Sequence, residues 1–167
     1  MPIQPLPSIP NGADVFIDAN IFVYALQSKS AQCREFLRRC AYEELFGISL
    51  LEIVNEATHQ LMLAEAVAKG FIPSPSPKVL RKHFSQIPQL TMYWAQTRRI
   101  LSLNLLLVGT SENLLHAAQL ERQAAGLLTN DSMIAACMRD LGIQALATND
   151  DDFARVGWIT VYKPDDI

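Results

Sequence analysis

Short apolar runs that stop abruptly at polar residues alternate along this chain with longer stretches whose apolar residues recur every three or four positions. Val15-Phe16-Ile17 ending at Asp18-Ala19-Asn20 predicts a buried parallel strand whose carboxyl end opens onto a crevice. Phe46-Gly47-Ile48-Ser49 and Ile143-Gln144-Ala145-Leu146-Ala147 predict two more short strands. Asn104-Leu105-Leu106-Leu107-Val108-Gly109 predicts a further buried one, and Trp158-Ile159-Thr160-Val161-Tyr162 alternates as an edge strand. Between them lie helical patterns: Ile21 to Gln27, a helix capped by Ser30 that carries Cys33, Phe36, Leu37 and Cys40, and one through Leu50, Ile53, Val54, Ala57 and Leu61 that Gly70 stops. Later come Lys78 to Phe84, Thr91 to Leu103, a helix from Thr110-Ser111-Glu112 to Gly126, and one through Met133, Ile134, Met138 and Leu141 closed by Gly142. Strand alternating with helix is the α/β signature. The expected architecture is a three-layer sandwich with a central parallel sheet of four to five strands flanked by helices.

Polar punctuation refines this plan. Residues 1–12 hold too many prolines for a helix or a central strand, and Asn11-Gly12 is a turn dipeptide, so they read as an extended lead-in to a single domain over 13–167. Gly70, Pro73, Pro75 and Pro77 mark 70–90 as an insertion-like segment. Its basic cluster, Lys78, Arg81, Lys82 and His83, is the best local candidate for an RNA-facing patch, with a plain surface helix as the other reading. Arg34, Arg38 and Arg39 read as a solvated helix face. Ser49-x-x-Glu52 fits a capping box, in which hydroxyl and carboxylate satisfy orphan amides of the first turn. Glu56, one turn further along the same face, has no such duty.

Composition excludes several classes. The chain has 167 residues, half of them hydrophobic, and a net charge of −3, which rules out a disordered or strongly polyanionic chain and gives no global basic signal for nucleic acid. Cys33, Cys40 and Cys137 lack CxxC spacing and read as reduced packing thiols of a cytoplasmic protein. The opening residues lack the cationic start and apolar stretch of a signal peptide, and no run approaches the roughly 20 apolar residues of a membrane span.

The chemistry lies in the acids. Asp18 ends one strand, Asp150 ends another, Asp131 sits in the first turn of a helix, and Glu56 lies one turn into another. In a parallel sheet with crossover helices, strand C-termini and the following helix N-termini share one face, so all four can converge. Carboxylates crowded into one cleft repel unless a cation sits between them. Oxygen donors without histidine or cysteine suit Mg²⁺ or Mn²⁺ and argue against zinc. Such a site suits in-line phosphoryl chemistry.

Val15-Phe16-Ile17-Asp18-Ala19-Asn20, Val54-Asn55-Glu56, Leu127-Leu128-Thr129-Asn130-Asp131 and Ala147-Thr148-Asn149-Asp150-Asp151-Asp152-Phe153 resemble, in order and spacing, the four motifs of PIN-domain proteins. Many of these are the ribonuclease toxins of VapBC toxin–antitoxin pairs. The resemblance implies a PIN-like fold and a metal-dependent endoribonuclease. In it Asp18, Glu56, Asp131 and Asp150 bind Mg²⁺ or Mn²⁺, Asp152 is an accessory ligand, and Asn20 and Thr148 support them from behind. An RNA substrate, an antitoxin partner and a homodimer are implied by the resemblance alone. The Pro-rich lead-in and a long middle region depart from the compact toxins.

Other readings compete. A haloacid-dehalogenase-like phosphatase also ends its first strand in aspartate, but needs a second aspartate where Asn20 stands. A receiver domain would need paired acids before its first helix and a late-strand lysine, and neither is evident. A PIN fold that only binds RNA or protein, with weak or no turnover, uses the same acids. His59, His83 and His116 are scattered and read as surface or packing residues, as do Trp94 and Trp158.

Overall fold

The computed structural model describes residues 3–167. Its centre is one parallel sheet built from β1 (Gln4–Pro5), β2 (Asp14–Ile17), β3 (Phe46–Leu50), β4 (Leu105–Val108), β5 (Ala145–Ala147) and β6 (Thr160–Lys163), in the spatial order β1-β6-β5-β2-β3-β4. Every pairing is parallel. The helices are α1 (Ala19–Leu26), α2 (Ala31–Ala41), α3 (Leu51–Ala68), α4 (Pro77–Lys82), α5 (Met92–Leu101), α6 (Glu112–Ala125) and α7 (Thr129–Leu141). They flank the sheet, with α1 against α2 and α3, α3 against α5, and α6 against α7. Val15, Phe16 and Ile17 are fully buried, as an apolar strand inside an α/β sheet should be.

The sheet has six strands where four to five were expected, because the proline-rich opening joins it. Gln4 and Pro5 pair in register with Tyr162 and Lys163. Pro5 lacks an N–H, and an edge position tolerates that. Leu6 and Ile9 then bury against the main core. The residue holding them there is Arg39, whose Nη2 donates to the Ile9 carbonyl at 2.6 Å and to Asn11 Oδ1 at 2.8 Å. Arg39 is thus a strut rather than part of a solvated face, whereas Arg38 does face solvent, paired with Glu35 and Glu44.

Three local expectations change for the same reason, that tertiary partners decide which side of an element is wet. Residues 158–162 are no edge strand, since β1 covers β6. The leucine run at 105–108 is the opposite edge, with Leu106 exposed. Ser49 caps nothing: α3 begins after Leu50 without a side-chain cap, and the buried Ser49 hydroxyl donates to the Ile17 carbonyl at 2.9 Å. Glu52 is left exposed.

Residues 70–90 fold over the far half of α3. Ile72, Leu80 and Leu90 form a second apolar cluster with Leu63 and Ala66 of that helix. Buried Glu65 ties it down, accepting the backbone N–H groups of Thr91 at 2.9 Å and Tyr93 at 2.8 Å. Burial works to raise its pKa, but those amides and Lys69 outweigh it and hold Glu65 below the usual carboxylate range. The three cysteines are buried and free.

Candidate active site

The strand order reverses between β5 and β2, and ligands of open α/β sheets bind beyond the carboxyl ends at such a switch point. Ile17 of β2 and Ala147 of β5 stand side by side there. One residue further on, Asp18 N donates to the Ala147 carbonyl at 3.1 Å, so Asp18 and Thr148 emerge together. Ser49, bonded to the Ile17 carbonyl, braces this end from the other neighbouring strand.

Asp18 is the N-cap of α1, its Oδ1 accepting from Ala19 N at 2.7 Å. Its Oδ2 accepts from Asn20 Nδ2 and from Thr148 Oγ1, each at 2.6 Å. Asn20 Oδ1 in turn accepts from Asn149 N at 3.0 Å, and Thr148 Oγ1 accepts from Asp150 N at 3.0 Å. This lattice fixes Asp18 while leaving a carboxylate edge for the cleft, since three hydrogen bonds do not fill about four lone-pair sites. Asp150 caps the short 3-10 turn Asp151–Arg155 by accepting from Asp152 N at 2.8 Å. From the first turn of α7 comes Asp131. Glu56, on α3, accepts from Gln60 Nε2 at 3.3 Å and from Asn130 Nδ2 at 3.2 Å.

All five acids line one open cleft of about 520 Å³, with Ile53, Ile134 and Leu128 among its apolar walls. The tightest group is Asp131, Asp150 and Asp152, each offering an oxygen within 4.8 Å of the other two. Asp152, expected as an accessory, therefore sits in the densest part of the cluster, and Asp18 and Glu56 flank it. Burial pushes the Asp18 pKa up to about 6; Thr148 and Ala19 oppose this, and the charges of Glu56 and Asp131 add to it. Asp131 is also raised, by burial first and then by Asp150, Asp152 and Glu56, against the pull of Arg155. Around Asp18 and Asp131 negative charge is in excess. The donor set is all oxygen, with no histidine or cysteine in the cleft, and that chemistry fits a hard divalent cation.

Sequence reasoning missed the residues that act through others: Ser49, Gln60, Asn130, Asn149 and Arg155. Amides and hydroxyls carry no pattern of their own, although Asn130 and Asn149 stand beside acids that the motifs do flag. The basic cluster on α4 lines no part of the cleft, and His59, His83 and His116 are exposed outside it. Arg139 lies over the Trp158 ring, 4.4 Å from its centroid, so that tryptophan is a packing residue. A larger cavity of about 660 Å³ beside α2, reached by Leu6, Ile9 and Phe36, has two carboxylates on its wall, Glu35 and Glu44, but both are paired with Arg38, and its Arg39 is already engaged.

An acid-lined switch point in a parallel sheet is what a PIN domain provides, and the PIN domain family model matches residues 15–159. The chain belongs to that family. Solved structures with the same fold include VapBC2 from Rickettsia felis bound to a promoter DNA fragment, 18% identical over 90% of this chain and 98% of that one, with a TM-score of 0.57. DNA-bound VapBC from Salmonella typhimurium is similar at 15% identity, 90% and 98% coverage and a TM-score of 0.57. So is VapC20 of Mycobacterium tuberculosis, described as a Sarcin-Ricin loop cleaving toxin, at 15% identity, 87% and 96% coverage and a TM-score of 0.55. No curated protein sequence matches the chain. No helix among the described residues is long and apolar enough to cross a membrane.

Proposed function

We propose that this PIN domain is an endoribonuclease that hydrolyses RNA phosphodiester bonds with Mg²⁺ or Mn²⁺. The observation that carries the reading is the convergence of Asp18, Glu56, Asp131, Asp150 and Asp152 on one cleft, where burial and the neighbouring carboxylates disfavour the charged forms of Asp18 and Asp131. Asp131, Asp150 and Asp152 would hold the cation, with Asp18 and Glu56 completing its surroundings. When bound, the ion supplies charge neutralisation and Lewis acidity toward a phosphodiester and a water.

The chain's own residues do the rest. Thr148 and Asn20 keep Asp18 at a fixed angle, so no reorganisation is needed as substrate arrives. Glu56 is held by Gln60 and Asn130 on the α3 wall and would orient the attacking water. Ile53 and Ile134 give the cleft an apolar floor that strengthens these polar contacts. An antitoxin partner fits the VapBC assemblies among the structures of the same fold. A homodimer and a cytoplasmic site of action complete the proposal.

The test is cleavage of labelled single-stranded RNA by purified protein with Mn²⁺ and with EDTA. Cutting is expected with the ion only, and Asp18→Asn should abolish it while leaving the circular dichroism spectrum unchanged. Cleavage that persists in EDTA or in the variant overturns the assignment, and absence of any cleavage favours a fold that only binds.

A further inference from the structure

No lysine, arginine or histidine lines the acid cleft among the described residues. One of its carboxylates is nonetheless already paired. Arg155 Nη2 lies 2.5 Å from Asp152 Oδ1, and Arg155 Nε donates to the Asp152 carbonyl at 2.9 Å, so a single guanidinium grips the residue twice. Both side chains are about half exposed, 47% for Arg155 and 49% for Asp152. The influence reaches further than this contact, because the same charge offsets part of the repulsion that Asp150, Asp152 and Glu56 exert on Asp131.

We propose that Arg155 is a tethered counter-ion that competes with a divalent cation for Asp152 and thereby sets the affinity of the cleft for that cation. The proposal rests on the metal-dependent reading given above. Asp152 belongs to the three acids whose oxygens lie within 4.8 Å of one another, so an ion seated among them meets the carboxylate that Arg155 holds. A guanidinium and a divalent ion on one carboxylate are like charges a few ångström apart, and each weakens the other's hold. Arg155 stands at the solvent side of a short 3-10 turn and can swing into water without breaking the fold. Half-exposed pairs are weak, so the competition shifts affinity about two- to five-fold rather than blocking the site.

The experiment is calorimetric titration of Mn²⁺ into metal-stripped full-length protein, which reads binding independently of turnover. Arg155→Ala should tighten Mn²⁺ binding by about two- to five-fold, with Arg155→Lys in between because an ammonium loses the double grip. Lys163→Ala is the control. It removes an equal charge from the neighbouring Asp151, 2.7 Å away and outside the cleft, and should change affinity less. In an Asp152→Asn background the Arg155→Ala gain should vanish, as a pairwise interaction requires. Unchanged or weaker binding in Arg155→Ala overturns the inference alone, as does equal tightening by Lys163→Ala. A parent protein that takes up no Mn²⁺ overturns the metal reading itself.

Discussion

Asp18 should cost the folded protein stability at neutral pH, and Asp18→Asn should expose that cost. The native state holds its carboxyl at a pKa of about 6 against the ordinary 3.8. Below the lower value both folded and unfolded chains are protonated and the group is neutral to stability. Between the two values the folded chain keeps a proton the unfolded chain has lost, so stability falls as pH rises; above about 6 the full penalty applies. Two pH units at about 1.4 kcal/mol each give roughly 3 kcal/mol, or about 6–12 °C in melting temperature for a chain of this size. Asparagine cannot ionise, so the variant lacks this slope. It also loses the Oδ2 acceptor that Asn20 Nδ2 and Thr148 Oγ1 share, but that cost does not depend on pH and cancels when the gap between parent and variant is followed across pH. Urea unfolding of both proteins in EDTA, from about pH 4 to pH 7.5, should show the variant gaining about 3 kcal/mol on the parent. Saturating Mn²⁺ should close much of the gap, because the cation favours the charged carboxylate. A gap that stays constant with pH would refute the burial argument.

Two further outcomes probe the frame around the cleft. Thr148→Val removes a donor to Asp18 and an acceptor for Asp150 N; it should cost about 1–3 kcal/mol in urea unfolding at neutral pH, and an unchanged midpoint would show that the lattice is dispensable. Gly47→Ala places a Cβ 2.5 Å from Leu105 Cδ2 and 2.9 Å from Ile17 Cδ1, so overpacking should lower stability by about 1–3 kcal/mol, and a melting temperature equal to the parent's would mean that β3 and β4 give way freely.

The helices were legible where a local signal marks them. Ser30 accepts from Cys33 N as the N-cap of α2, and Gly142 ends α7 in the left-handed conformation that favours glycine. The elements carrying Asp18, Glu56, Asp131 and Asp150 were likewise readable, because strand ends and helix starts are written in short-range pattern. Ser49 shows where that reading fails: its sequence spacing suited a capping box, yet burial beside β2 gave the hydroxyl a better partner in the Ile17 carbonyl. The leucine run of β4 predicted a buried strand, but among the described residues no strand pairs on its far side, and Leu106 is exposed.

What the sequence by itself determined is the order of strands and helices and the acids at their ends, since hydrophobic periodicity and helix termini depend on neighbours a few residues away. Only the tertiary structure decided that the proline-rich opening becomes a sheet edge, that Asp152 sits in the tightest part of the acid cluster, and that Arg155 holds it. Strand order, register and ion pairing arise from contacts between residues far apart in the chain, and no local pattern encodes which distant partner a strand edge or a carboxylate will meet.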